Sequence, residues 1–245
     1  MDSVGSNGPG RNPRPARASG VQTLDRAVAL LEVVADAGPT TLAGLAEVTG
    51  LTRPTVHRLA RALEDHGLFG RDERGRLRLG GRLVGWGALA GRSLGLAQVA
   101  GPVLEALLAR TGESTQLYVR EGDRRVCVAS AERTSGLRDT VPLGASLPLT
   151  AGSGGAVLLA WADDADRFPA VPQARLAEVR ARGWAESVGE REPGVASVSA
   201  PVRDGAGAVL GAVSVSGPVE RLGRRPGTAL AAPVLEAAAA LEGHR

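Results

Sequence analysis

The chain has 245 residues, enough for one large core or two modest ones. Its 43% hydrophobic and 22% charged residues belong to a globular protein, and its 34 Gly and 15 Pro point to many turns rather than wholesale disorder. The 29 basic residues are all Arg, a bias that a GC-rich genome explains, and a net charge of +3 is too small to name a partner, so placement of the Arg residues is what informs.

A single cysteine, Cys127, excludes an internal disulfide framework and a multi-cysteine zinc site, and fits a reducing, cytoplasmic setting. No apolar run approaches the roughly 18 residues of a membrane span, and the start lacks the apolar core of a signal peptide.

Residues 1–20 combine Pro, Gly, Ser and three Arg with little to bury, and read as a mobile arm. From Leu24 the pattern is helical, with Ala27, Leu30, Leu31 and Val34 on one face, and ends at Gly38-Pro39. Thr40 or Thr41 is placed to cap a short second helix bearing Leu42, Leu45, Ala46 and Val48, which Gly50 ends. Thr52 is placed to cap a third helix, with Pro54 in its first turn and Gly67 as its stop. Val56, Leu59, Ala60 and Leu63 form its inner stripe; Arg53, Thr55, His57, Arg58 and Arg61 lie opposite. Leu68-Phe69 and the Arg-alternating run Arg71 to Leu79 then predict a β-hairpin.

Two short helices joined through Gly, the second Arg-rich outside, followed by a basic hairpin, follow the order of a winged helix-turn-helix. A recognition helix needs donors outside for base edges and phosphates, and apolar residues inside to hold its neighbours. Thr55, His57 and Arg58 suit base edges, Arg61 suits a phosphate, and Arg74 and Arg76 on the wing suit the backbone or minor groove. Arg26, Thr41, Thr52 and Arg53 complete the candidate DNA-contacting set. An Arg-rich helix alone is equally a solvated face; the helix order, caps and wing together carry the reading of double-stranded DNA as partner.

Residues 81–95, with Leu83, Trp86, Ala90 and Leu94 at mostly helical spacing, predict a linker helix despite Gly85, Gly87 and Gly91. Val99, Val103, Leu104, Leu107 and Leu108 predict another. Strands are expected at 115–119, 126–129, 137–141, 197–202 and 209–216, and helices at 156–161, 176–182 and 229–241, giving an α+β domain over 96–245.

Ala151-Gly-Ser-Gly-Gly155 precedes a helix, where free N–H groups and the helix dipole favour an anion, or where glycine merely allows a tight turn. Ser214 and Ser216, two apart on one strand, share a face opposite Val213 and Val215, and Ser197 is on the neighbouring strand. They either bind a small polar ligand or fill a tightly packed sheet. Cys127 reads as a buried small hydrophobe, and Glu190 and Glu192 as solvated charges in a polar turn. No nucleophile, acid/base pair or metal-ligand spacing emerges, so no enzyme, metal or cofactor is expected.

Leu42 to Leu68, the Gly75-to-Gly80 string GRLRLG, and the C-terminal block RGWAESVGEREPGVASVSAPV with GAVLGAVSVSGPVERL resemble the IclR-type transcription regulators from about Val21 to Leu241. Through Ala131 to Gly144 and Arg191 to Val202 the chain is most similar to the NdgR-like actinobacterial regulators of amino-acid metabolism. The resemblance implies a homodimer or dimer of dimers on a pseudo-palindromic operator and a GAF-like effector domain. It implies control of amino-acid genes, including the leucine branch, and an effector pocket at Ser153, Gly154, Ser187, Ser197, Ser214 and Ser216. Where the family commonly has Gly-Lys-Ala this chain has Gly155-Ala156-Val157, so no role of that Lys carries over. A ligand-independent repressor or architectural protein whose second domain only oligomerises is the alternative.

Overall fold

Amphipathic spacing and glycine stops shape the first unit of a computed structural model that describes residues 19–93 and 95–242. The arm through residue 18, with Arg11, Arg14 and Arg17, lies outside the described residues, as does Leu94 of the linker. The chain divides into two compact units, one up to Ala90 and one from Gly91.

In the first unit, α1 (Gln22–Ala37), α2 (Leu42–Thr49) and α3 (Arg53–Asp65) surround a core that includes Leu30, Val34, Leu45, Val56 and Leu59. Gly67, at φ 69°, turns the chain out of α3 in a Schellman motif: Leu68 N–H donates to Leu63 C=O at 2.8 Å and Gly67 N–H to Glu64 C=O at 2.9 Å. β1 (Phe69–Arg71) and β2 (Leu77–Leu79) pair antiparallel as the wing. Backbone bonds in both directions between Thr40 and Leu77, at 3.0 and 2.7 Å, tie the wing to the approach to α2. A Cβ on Gly80 would stand 2.0 Å from the Gly67 carbonyl oxygen, so only glycine lets the wing return beside the end of α3. α4 (Arg82–Ser93) follows and carries the unit boundary.

The second unit is a six-stranded antiparallel sheet with helices on both faces. Its strands β3 (Ser114–Glu121), β4 (Arg124–Ala131), β5 (Ser146–Pro148), β6 (Ala185–Val188), β7 (Val195–Arg203) and β8 (Val209–Pro218) run in the order β5-β4-β3-β8-β7-β6. α5 (Leu96–Thr111) and α9 (Gly227–Glu242) cover one face, closing a core with Leu117, Val198, Val213 and Val215. α6 (Ser153–Ala160) and α7 (Gln173–Arg182) cover the other, with Tyr118, Cys127 and Leu147 in that core. A 3-10 turn (Ala165–Arg167) links α6 to α7, and α8 (Val219–Leu222) links β8 to α9. A register shift at Leu117/Tyr118 gives β4 one extra residue, so Cys127 shares a core with Tyr118 while Ala129 joins Leu117.

Two sequence expectations fail here. Residues 137–141 form no strand: Gly136 and Pro142 bracket them, and Val141 is buried in the core by an irregular strap, which mimics strand patterning. The place beside β4 goes to β5 instead, and β6 was not anticipated.

Candidate nucleic-acid interface and ligand pocket

α3 buries Val56, Leu59, Ala60 and Leu63 and exposes Arg53, His57, Arg58 and Arg61, with Thr55 half-buried. Thr55, His57 and Arg58 fall in its first two turns, the part of such a helix that approaches base edges. Arg61 pairs with Asp65 at 3.4 Å, with both side chains mostly exposed, a weak contact that a phosphate readily replaces. Arg26 is half-buried on α1.

The threonines differ. Thr41 caps α2, its hydroxyl accepting from Gly44 N–H at 3.1 Å and keeping its own hydrogen to donate. Thr52 precedes α3 but makes no side-chain cap bond, contrary to expectation. Its hydroxyl lies 2.9 Å from that of Thr55, the Pro54 nitrogen having no hydrogen to offer. Two hydroxyls sharing one bond leave one hydrogen over for an outside acceptor. On the wing, Arg74 is exposed at the turn, whereas Arg76 is held by Asp72, its Nε and Nη2 each 2.8 Å from the carboxylate. Arg76 thus braces the turn, and Arg74 is the freer cation.

In the second unit, strand register gathers small polar side chains on the α6 side of the sheet. Gln116 lies opposite Ser214, Ser214 opposite Ser199, Ser216 opposite Ser197, and Ser197 opposite Ser187. Ser153, in the first turn of α6, reaches the Ser197 hydroxyl at 2.6 Å and the Ser199 hydroxyl at 2.7 Å. Ser187 bonds Ser197 at 3.0 Å and Ser199 bonds Ser214, which completes a chain of five hydroxyls. Ser216 donates to Gln116 Oε1 at 3.1 Å.

Ser153, Gly154, Ser197, Ser214 and Ser216 line one cavity; Ser187 stands behind Ser197. Gln116, Tyr118, Arg125, Asp139 and Arg191, which sequence reasoning missed, line it too. The cavity holds about 20 Å³, roughly the space of a water molecule. Asp139 pairs with Arg191. Arg125 lies over the Tyr118 ring at 5.2 Å and donates through Nη1 to the carbonyls of Pro148 and Ala151. Burial lowers the Arg125 guanidinium to about 10, still charged at neutral pH, and burial pushes the Tyr118 phenol well above its usual range.

Glu190 is not a solvated charge. It accepts from Gly152 N–H at 3.0 Å and from Arg175 at 2.9 Å, so the chain's own carboxylate sits at the start of α6. Cys127 is buried, and burial pushes its thiol up to about 12. Among the described residues no cluster of three or more His, Cys, Asp or Glu could hold a metal, and no helix is long and apolar enough to cross a membrane.

A winged helix-turn-helix followed by an α/β domain with a curled antiparallel sheet defines a class of bacterial DNA-binding regulators. The IclR helix-turn-helix domain matches residues 23–73, and the bacterial transcriptional regulator IclR C-terminal domain matches residues 89–175 and 169–242. The HTH-type transcriptional regulator BhcR of Paracoccus denitrificans is 32% identical over 238 residues, covering 89% of this chain and 85% of that one. The crystal structure of a transcriptional regulator of Rhodococcus sp. RHA1 is 27% identical with a TM-score of 0.71, covering 91% of this chain and 98% of that one. An IclR homolog of Microbacterium hydrocarbonoxydans, solved complexed with 4-hydroxybenzoate, is 24% identical with a TM-score of 0.67, a likeness of fold, over 91% of this chain and 98% of that one. The chain belongs to the IclR family and is a DNA-binding transcription regulator.

Proposed function

We propose that the protein is a cytoplasmic, dimeric or tetrameric regulator, not an enzyme, whose grip on a pseudo-palindromic operator is set by a small amino acid or organic acid. Residues 21–80 bind DNA, 81–95 form the linker helix, and 96–245 form a GAF-like effector domain. Arg53, Thr55, His57 and Arg58 meet the major groove; Arg61 meets a phosphate, and Arg26, Thr41, Thr52, Arg74 and Arg76 serve the backbone or adjoining groove. Ser153, Gly154, Ser187, Ser197, Ser214 and Ser216 form the effector site. The NdgR-like resemblance points to amino-acid biosynthesis genes, including the leucine branch.

The observation that carries the reading is α3, which has a fully apolar inner stripe and an outer face of exposed Arg53, His57, Arg58 and Arg61. Dimerisation draws support from Val21, Leu24 and Val28, exposed at i, i+3 and i+7 at the start of α1, and from exposed Val84 and Trp86 on α4. Replacing Arg58 and Arg61 by Ala in the folded protein is expected to cost about 10- to 100-fold in affinity for its own promoter fragments. Unchanged affinity in a gel-shift titration overturns the DNA-contact assignment.

The cavity of about 20 Å³ favours a second reading, a ligand-independent repressor, because an effector must open the pocket to enter. Isothermal titration separates them: a metabolite that binds and shifts operator affinity supports gating, and none doing so supports the second.

A further inference from the structure

The DNA-binding unit does not offer every exposed cation to DNA. The Arg71 side chain, at the end of β1, is 48% exposed, yet all three nitrogens of its guanidinium are engaged. Nε and Nη2 meet the two carboxylate oxygens of Glu64, in the last turn of α3, at 2.7 and 3.0 Å, and Nη1 donates to the Gly75 carbonyl in the wing turn at 2.9 Å. Arg61 is the contrast, with one contact to Asp65 at 3.4 Å that a phosphate replaces at little cost. A two-point guanidinium–carboxylate pair is stronger and more exacting in geometry, so a phosphate that sought Arg71 would have to displace both the pair and the carbonyl bond.

Phosphates are alike in every sequence, so an unpaired cation strengthens binding to any duplex. On an arbitrary sequence the loosely bound protein can turn until that cation finds a phosphate. Docked through α3 in its operator it cannot turn, and it gains only where a phosphate already stands. An unpaired Arg71 would therefore favour the wrong sequences. The same guanidinium also spans the distance from α3 to the turn that carries Arg74, which sets how far Arg74 stands from the base-reading residues.

We propose that Glu64 is a specificity-determining residue that does not itself touch DNA: by holding Arg71 it withholds a wing cation from phosphates and fixes the wing turn against α3, which lowers affinity for non-operator DNA relative to the operator. It rests on the docking of α3 and the wing proposed above.

The test measures affinity of the full-length protein by fluorescence anisotropy over a salt series, on a duplex that the wild type selects from a random pool and on a scrambled duplex of equal length. Glu64→Gln keeps the shape and removes the charge, which releases Arg71. Affinity for the scrambled duplex is expected to rise about 3- to 10-fold and its log–log salt slope to steepen by about 1, so that the ratio of selected to scrambled affinity falls. Arg71→Gln removes a cation already withheld: alone it leaves the scrambled-duplex slope unchanged, and combined with Glu64→Gln it abolishes the gain. A pair that served stability alone would move the denaturation midpoint and neither the slope nor the ratio.

An unchanged slope for folded Glu64→Gln, a gain that survives Arg71→Gln, or a slope that falls by about 1 in Arg71→Gln alone each overturns the inference. If Glu64→Gln fails to fold, the slope left by Arg71→Gln decides. The protein with Arg58 and Arg61 replaced by Ala separates the failures. If it loses affinity for the selected duplex while Glu64→Gln changes nothing, the docking stands and the role of Glu64 falls; if it too changes nothing, both fall.

Discussion

Gly155 is fixed by its surroundings rather than by backbone conformation. A Cβ there would lie 2.1 Å from the Leu149 carbonyl oxygen and 2.9 Å from Arg125 Nη1, so Gly155→Ala must push α6 away from the turn that follows β5. The expected loss is about 1–3 kcal/mol, read as a lowered denaturation midpoint, and no loss would mean that α6 moves freely. Cys127 gives a chemical check on the same core. With its thiol raised to about 12 by burial, the thiolate is scarce at any pH below that value, and the fraction grows as pH rises toward it. Labelling by a disulfide reagent at pH 8 should be about 100-fold slower or more in the folded protein than after denaturation. Alternation at Ser214 and Ser216 made their shared face legible from sequence. Asp139 and Arg191 were not legible, because a strap and a turn far apart in sequence bring them together, and no local period records that.

At the scale of elements, the helix boundaries of the first unit follow their glycines and caps closely, since Gly38, Gly50 and Gly67 all adopt positive φ where the sequence places stops. The two threonine caps are unequal, and stability should report it. Thr41→Ala removes a formed bond to Gly44 N–H and is expected to cost about 1 kcal/mol by chemical denaturation, with Thr52→Ala costing clearly less. Equal losses would overturn the assignment of Thr52 to its hydroxyl partner Thr55. The edge strands were the hard part. β5 has three residues, too few for alternation to show, and the 137–141 strap imitates a strand because Leu137 and Val141 stand at an even spacing, although Val141 is anchored and Leu137 is exposed.

For the whole molecule, the modest net charge of +3 makes the local placement of Arg decisive for DNA affinity. Binding should weaken steeply with salt, and Arg74→Ala should lower the log–log salt slope by about 1 while weakening all sequences alike. Arg76→Ala should instead loosen the wing turn that Asp72 holds, with a stability loss that Arg74→Ala lacks. An unaltered slope for Arg74→Ala would remove that residue from the interface. The change from helical periodicity to alternation after Thr111, which was legible in the sequence, falls inside the second unit, which begins at Gly91.

The paired backbone bonds between Thr40 and Leu77 bear on how such a protein can be switched off. They rivet the base of the wing to the corner before α2, so that these two parts of the reading head move together. Under the proposed effector-gated dimer, a signal that loosens the grip would then shift whole heads, changing the stride from one half-site to the next rather than the shape of either.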